Sequence, residues 1–228
     1  MQNNKKIGVI IVAGGSGSRF GAEIPKQYML LAGKPVLQHS IEAFSGFADF
    51  IQVVIRREDV AIFKQIEQEL QNHGMQILPP IFGASTRQGS VKNGLISLEK
   101  VGCDVVLIHD AARPLVSTLV IENVLIGVEK HKYAIPAVPQ KDTLKLGKKG
   151  FIEKTVSRKN LYCAQTPQGF EFGKIYEAHK KFQDLEYTDD ACLIEALGEK
   201  VSIVEGDDNN LKITTQKDLA IAELILKF

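Results

Sequence analysis

Short unbroken apolar runs alternate along this chain with stretches whose apolar positions recur every three or four residues. Ile7–Val12 (IGVIIV) is such a run, rich in β-branched residues and closed by glycines, which predicts a buried strand. Pro35–Phe44 then sets Val36, Leu37, Ile41 and Phe44 on one side of a helix. Ile51–Ile55 predicts the next strand, and Glu58–Asn72 a helix striped by Val60, Ile62, Phe63, Ile66 and Leu70. Met75–Leu78 reads as a short strand, Arg87–Leu98 as a helix and Asp104–His109 as a strand. Ser117–Lys130 is a helix with Ser117 placed to cap it. Farther on, Tyr162–Gln165 and Val201–Val204 read as strands, and Asp189–Leu197 and Thr215–Leu226 as helices. Thr215 and Asp218 open the last of these as a variant capping box.

This β-α-β-α rhythm predicts a Rossmann-like three-layer α/β/α domain whose mainly parallel, twisted sheet is covered on both faces. No repeat, low-complexity tract or linker divides the chain, so residues 1–228 are expected to form a single domain. One segment breaks the rhythm. Lys141–Lys159 alternates Leu144, Leu146 and Ile152 around Gly147-Lys148-Lys149-Gly150, the pattern of a hairpin with a basic turn. Such an arm, within residues 139–162, either clasps a second subunit or is a solvated insertion, and the residues alone leave both open.

Composition narrows the classes. A chain of 228 residues, 44% hydrophobic, builds a core without disulfides. Its net charge of +1 gives no bulk attraction for nucleic acid or an anionic membrane, so neither is expected as a partner. Cys103, Cys163 and Cys192 are widely spaced, with no C-x-x-C, which argues against a disulfide framework or a zinc site. Cys103 and Cys192 lie beside apolar residues and read as small core side chains. No apolar stretch reaches the ~18 residues that span a bilayer, and the leading MQNNKK runs straight into a strand; a reducing cytoplasm is the expected setting.

The stretch Ala13–Tyr28 (AGGSGSRFGAEIPKQY) carries the candidate chemistry. Four glycines in nine residues follow a strand, at the carboxyl edge where open α/β sheets bind ligands. A dinucleotide fingerprint begun at Gly15 fails at Phe20, one begun at Gly14 fails at Ser16, and no G-K-[ST] follows, so the ATPase loop fails too. What remains is a cradle of backbone N–H groups at Ala13, Gly14, Gly15, Gly17 and Ser18 with two cations, Arg19 and Lys26. Fixed positive charges of this kind suit attack on the α-phosphorus of a triphosphate, where charge builds on the phosphoryl oxygens and on departing pyrophosphate. The bland alternative is a tight turn with solvated basic residues; Pro25 and the R-x6-K spacing argue against it.

GGSGSRF followed by IPKQY resembles the signature of the cytidylyltransferases that activate sugar-alcohol phosphates, most nearly those acting on 2-C-methyl-D-erythritol 4-phosphate in non-mevalonate isoprenoid synthesis. The resemblance continues through Arg87-Gln-Gly-Ser90-Val91, His109-Asp-Ala-Ala-Arg-Pro114, Pro136–Lys145, Ala164-Gln-Thr-Pro-Gln168, Thr188-Asp-Asp and Asn210-Leu-Lys212-Ile-Thr214, spanning nearly the whole chain in order. It implies a nucleotidyltransferase domain, Arg19 and Lys26 as the catalytic pair, CTP and a polyol phosphate as substrates, and Mg²⁺ or another divalent cation as cofactor. It also implies a homodimer joined through the β-arm.

The same resemblance assigns Gly83, Arg87 and Ser90 to reading the cytosine. Ala84 departs from it, standing where a second glycine is usual, and is tolerated only if that backbone needs no positive φ. Asp110 is implied to position the metal or the polyol, and Arg113 to contact the substrate phosphate. The structural alternative makes Asp110 a loop cap with Arg113 as its ion-pair partner. His109 is expected to pack or hydrogen-bond, since no second histidine stands at ligand spacing. Thr143, Arg158, Thr166, Thr188 and Lys212 are implied to hold the polyol phosphate, with Thr143 and Arg158 on the arm serving the neighbouring subunit's site. Ribitol 5-phosphate remains the rival substrate, although KDT at Lys141–Thr143 and the HDAAR block favour methylerythritol. A non-catalytic sensor is opposed by the presence of both Arg19 and Lys26. A nicotinamide enzyme is opposed by Phe20 and by Arg56-Arg57 where an acidic ribose contact belongs.

Overall fold

The computed structural model describes residues 5–15 and 24–227. In chain order the elements are β1 (Ile7–Val12), β2 (Leu30–Leu31), β3 (Lys34–Pro35), α1 (Val36–Glu42), β4 (Phe50–Ile55), α2 (Val60–Asn72) and β5 (Ile81–Phe82). Then follow α3 (Arg87–Glu99), β6 (Val105–Asp110), α4 (Thr118–His131), β7 (Tyr133–Pro139), β8 (Leu144–Lys148) and β9 (Phe151–Val156). The chain closes with β10 (Tyr162–Ala164), β11 (Gln168–Glu171), α5 (Phe172–Lys181), α6 (Asp190–Ala196), β12 (Ser202–Glu205) and α7 (Gln216–Ile225).

Apolar runs became the middle strands because only there are both faces covered. The eight-stranded sheet runs β10-β7-β11-β6-β1-β4-β5, with β12 alongside β7. Alternate side chains of β1 feed opposite cores: Val9 and Ile11 pack with Phe44, Phe63 and Ile121 beneath α1, α2 and α4. Ile10 packs with Leu95, Phe170 and Leu193 beneath α3, α5 and α6. The predicted three layers are present, and β6, β1, β4 and β5 are parallel neighbours. The sheet is mixed, however. β11 runs antiparallel between β6 and β7, and β10 antiparallel to β7.

Local signals fell largely where expected. Ser117 and Thr215 cap α4 and α7 through their side chains, and Thr215 with Asp218 forms the complete capping box. Thr86 caps α3. The expected strand at Met75–Leu78 is absent; the pairing forms at Ile81–Phe82 instead. Pro79 and Pro80 intervene, and neither can donate to a ladder. Cys103 is buried as expected, whereas Cys192 is half-buried with its sulfur 3.6 Å from Thr188 Oγ1.

β8 and β9 form a separate antiparallel hairpin between β7 and β10. Lys149 and Gly150 sit at φ 49° and 85°, so both turn residues occupy the left-handed region that matches the twist of paired strands. Its apolar side chains are not covered: Phe151 is 80% exposed and Ile152 67%. Among the described residues no helix is long and apolar enough to cross a membrane.

Candidate functional site

Parallel pairing sets Val12 beside Asp110, so the ends of β1 and β6 open side by side at the carboxyl edge of the sheet. A cleft of about 480 Å³ lies there, a size suited to a small ligand. The segment 13–15 forms one wall, Lys26 and Gln27 the floor, residues 84–87 the opposite wall, and Asp110–Ala112 with Lys212 the rim.

A chain of charges organises the rim. Asp110 accepts from Arg87 Nε at 3.0 Å and from Lys212 Nζ at 2.6 Å. Arg87 turns its Nη1 to Asp190 Oδ2 at 2.7 Å, and Asp190 Oδ1 accepts from His179 Nε2 at 3.1 Å. The other ring nitrogen, His179 Nδ1, is buried without a hydrogen-bond partner among the described residues. Burial alone would raise the pKa of Asp110, but Arg87, Lys212 and Arg113 outweigh it and hold the carboxyl well below its usual range. Asp190 follows the same logic: burial is overcome by Arg87 and His179, and its pKa is lowered. Burial disfavours charge on Arg87, yet Asp190 and Asp110 outweigh that and raise its pKa further. Both carboxylates are therefore ionised at neutral pH, and Arg87 is locked between them.

The floor is set by the short 3-10 turn Lys26–Tyr28, entered from Pro25. Lys26 Nζ donates to Ile213 O at 2.9 Å, which brings it beside Lys212 on the segment leading to α7. Gly14 and Gly15 line the cleft, and Ala13 is buried behind them with its N–H on Val54 O. Gly17, Ser18 and Arg19 lie outside the described residues.

The opposite wall answers the question raised by Ala84. It does not adopt a positive φ, and its N–H donates to Ser90 Oγ at 3.0 Å, so the departure from glycine costs no backbone strain. Gly83 is different: a Cβ there would sit 2.8 Å from Ser90 Oγ, so the wall needs its lack of a side chain.

Other expected residues stand behind the rim. Thr166 is buried; its hydroxyl accepts from Asp110 N at 3.1 Å and lies 3.1 Å from His109 Nδ1. His109 is also buried, packs edge-on to Phe44 and reaches Arg113 O with Nε2 at 3.0 Å. Burial pushes its pKa down to about 4, so it is neutral, with Nε2 as donor and Nδ1 accepting the threonine proton. Thr166 thus fixes the backbone under Asp110. Arg113 donates from Nη1 to Asn210 O at 2.6 Å and is not the ion-pair partner of Asp110 that the structural alternative supposed. Thr143, Arg158 and Thr188 are exposed and stand off this cleft; Arg158 Nη1 donates to Lys141 O at the base of the hairpin.

Sequence reasoning missed three buried polar residues. Asp190 anchors Arg87 from 103 positions away. Asn210, fully buried, donates to Thr166 O at 2.9 Å while its own carbonyl holds Arg113. Gln27, buried, donates from Nε2 to Ala13 O at 2.8 Å and Gly15 O at 3.2 Å. All three stood inside quoted motifs, and their polarity next to apolar neighbours was the available signal. Among the described residues no three or more His, Cys, Asp or Glu side chains cluster as a metal cage.

Comparison with known proteins accords with this geometry. The family model for 2-C-methyl-D-erythritol 4-phosphate cytidylyltransferase (IspD) matches residues 7–228. The protein of that name from Geobacter metallireducens is 41% identical over 225 residues, covering 96% of each chain. The bifunctional enzyme IspD/IspF of Paramagnetospirillum magneticum is 42% identical over 219 residues, 95% of this chain but 56% of its own length. The chain therefore spans about half the length of such bifunctional relatives. Among solved structures, 4-diphosphocytidyl-2C-methyl-D-erythritol synthase from Anaerococcus prevotii superposes with a TM-score of 0.84 at 33% identity, covering 98% and 99% of the two chains. The cytidylyltransferase of Thermus thermophilus gives 0.77 at 31%, covering 98% and 100%. The chain belongs to the 2-C-methyl-D-erythritol 4-phosphate cytidylyltransferase family.

Proposed function

We propose that this chain transfers a cytidylyl group from CTP to 2-C-methyl-D-erythritol 4-phosphate, giving CDP-methylerythritol and pyrophosphate, as one nucleotidyltransferase unit. The observation that carries the reading is a glycine loop, Lys26 and the Arg87–Asp110–Lys212 group converging on one cleft. Among the described residues the cleft wall holds no cysteine or histidine, so its kit is cationic and carboxylate. That kit fits a reaction whose nucleophile needs no activation: a phosphate monoester with a second pKa of ~6 is largely dianionic at neutral pH. One of its oxygens attacks the α-phosphorus in line, the bond to the bridging oxygen breaks, and pyrophosphate leaves with that electron pair. Lys26, with Arg19, neutralises charge on the triphosphate; Gly83, Arg87 and Ser90 hold the base; and the rim aligns the polyol phosphate.

Asp110 fits a divalent cation such as Mg²⁺. It is ionised and faces the cleft, and a hard cation would take its other ligands from phosphate and water. When bound, that ion supplies further charge neutralisation on the phosphates. The exposed apolar hairpin supports a homodimer in which Thr143 and Arg158 reach the neighbouring cleft, since neither lines its own. The test is pyrophosphate release from CTP with methylerythritol 4-phosphate and, separately, ribitol 5-phosphate. Turnover with the first supports the reading; turnover with ribitol phosphate alone, or with neither, overturns it.

A further inference from the structure

The side chain of Gln27 points back into the loop that the proposed function assigns to the triphosphate. Its Nε2 carries two hydrogens and spends one on each of two carbonyls, Ala13 O at 2.8 Å and Gly15 O at 3.2 Å. The residue is buried, and its bond to Ala13 O lies in the interior where water does not replace it; the bond to Gly15 O is part-buried. The two carbonyls flank Gly14, and a carbonyl oxygen turned into the cleft would repel the phosphates the loop must hold. Gln27 also directly follows Lys26 in the same 3-10 turn, so one side chain ties the loop to the turn that carries a catalytic cation.

We propose that Gln27 is a positioning residue: its amide draws the carbonyls of Ala13 and Gly15 inward and so keeps the loop a phosphate acceptor in register with Lys26. The role depends on a neutral side chain with two donor hydrogens on one atom. Glutamate has the same length but offers only acceptor oxygens and would repel both carbonyls. Methionine keeps the volume and supplies no bond. The inference rests on the reading that the cleft binds CTP.

The test compares the parent chain with Gln27→Met and Gln27→Glu. Calorimetry reads affinity for Mg²⁺-CTP, ligand-observed NMR reads affinity for cytidine, and circular dichroism reads the fold. The expected result is a loss of CTP affinity of about tenfold in Gln27→Met and more in Gln27→Glu, with cytidine binding within twofold of the parent. A residue acting only through general packing would weaken both ligands alike, and that result overturns the proposal. So does unchanged CTP affinity in both variants, or loss of the folded circular dichroism signal in both. A parent that fails to bind CTP overturns the functional reading itself and this inference with it, and is told apart because it appears before any substitution.

Discussion

The rim of the cleft and the β8–β9 hairpin carry expected substrate contacts in opposite ways. At the rim the charges are paired within the chain: Asp110 holds Arg87 and Lys212, and Arg87 holds Asp190. On the hairpin, Phe151 and Ile152 are exposed, and Arg158 donates to the local carbonyl of Lys141. The rim is preorganised by the fold that carries it, whereas the hairpin presents exposed apolar side chains. The difference separates residues whose geometry one chain completes from residues that, in the proposed homodimer, meet their ligand across the interface.

The largest expected effect falls on the rim. Asp190→Ala strips Arg87 and His179 of a buried partner and should cost ~3–5 kcal/mol of stability, read as a lower denaturation midpoint. A loss under ~1 kcal/mol would mean that the network is not what holds the rim. Next, Lys26→Ala should lower kcat/KM by ~10²–10³ with an unchanged melting curve. A variant of full activity would remove Lys26 from its role.

A pH titration comes third. His109 titrates at about 4 in the fold against an ordinary ~6.5, so the unfolded chain binds its proton first. The stability tied to neutral His109 is complete above ~6.5 and is lost as pH falls toward 4, amounting to ~3 kcal/mol. His109→Gln should flatten that slope. Below it, the lowered pKa of Asp190 predicts a further loss as pH drops under the usual carboxylate range. The smallest effect on stability belongs to the hairpin: Phe151→Ser should change the melting of the isolated chain by under ~0.5 kcal/mol. If the proposed homodimer forms through the hairpin, the same change should shift sedimentation toward monomer, and unaltered sedimentation would detach Phe151 from the proposed interface.

What the sequence disclosed follows from where each signal resides. β1, β4 and β6 announced themselves because strands buried on both faces must be apolar throughout. The hairpin was visible through Gly150 and alternating leucines. β11 was not, since Gln168–Glu171 offers Phe170 as its one large apolar residue and draws its order from β6 and β7. The same holds at the site. Lys26, Arg87, Asp110 and Lys212 were legible as motif residues, but their pairing depends on contacts 23 and 102 positions apart. Asp190, Gln27 and Asn210 become buried donors or acceptors only once distant segments close over them, and no local pattern encodes that.

In the proposed homodimer each site joins the rim of one chain to the arm of the other, and mixing two inactive variants tests it directly. Lys26→Ala disables a cleft and keeps an intact arm; Arg158→Ala disables the arm and keeps an intact cleft. In a mixed dimer, an arm that serves its neighbour leaves one site with intact cleft and intact arm. Pyrophosphate release should then reappear, approaching one working site per mixed dimer, although each variant alone is nearly inactive. Verified mixed dimers that stay as inactive as their parents would place the arm's residues at their own chain's cleft and contradict the account.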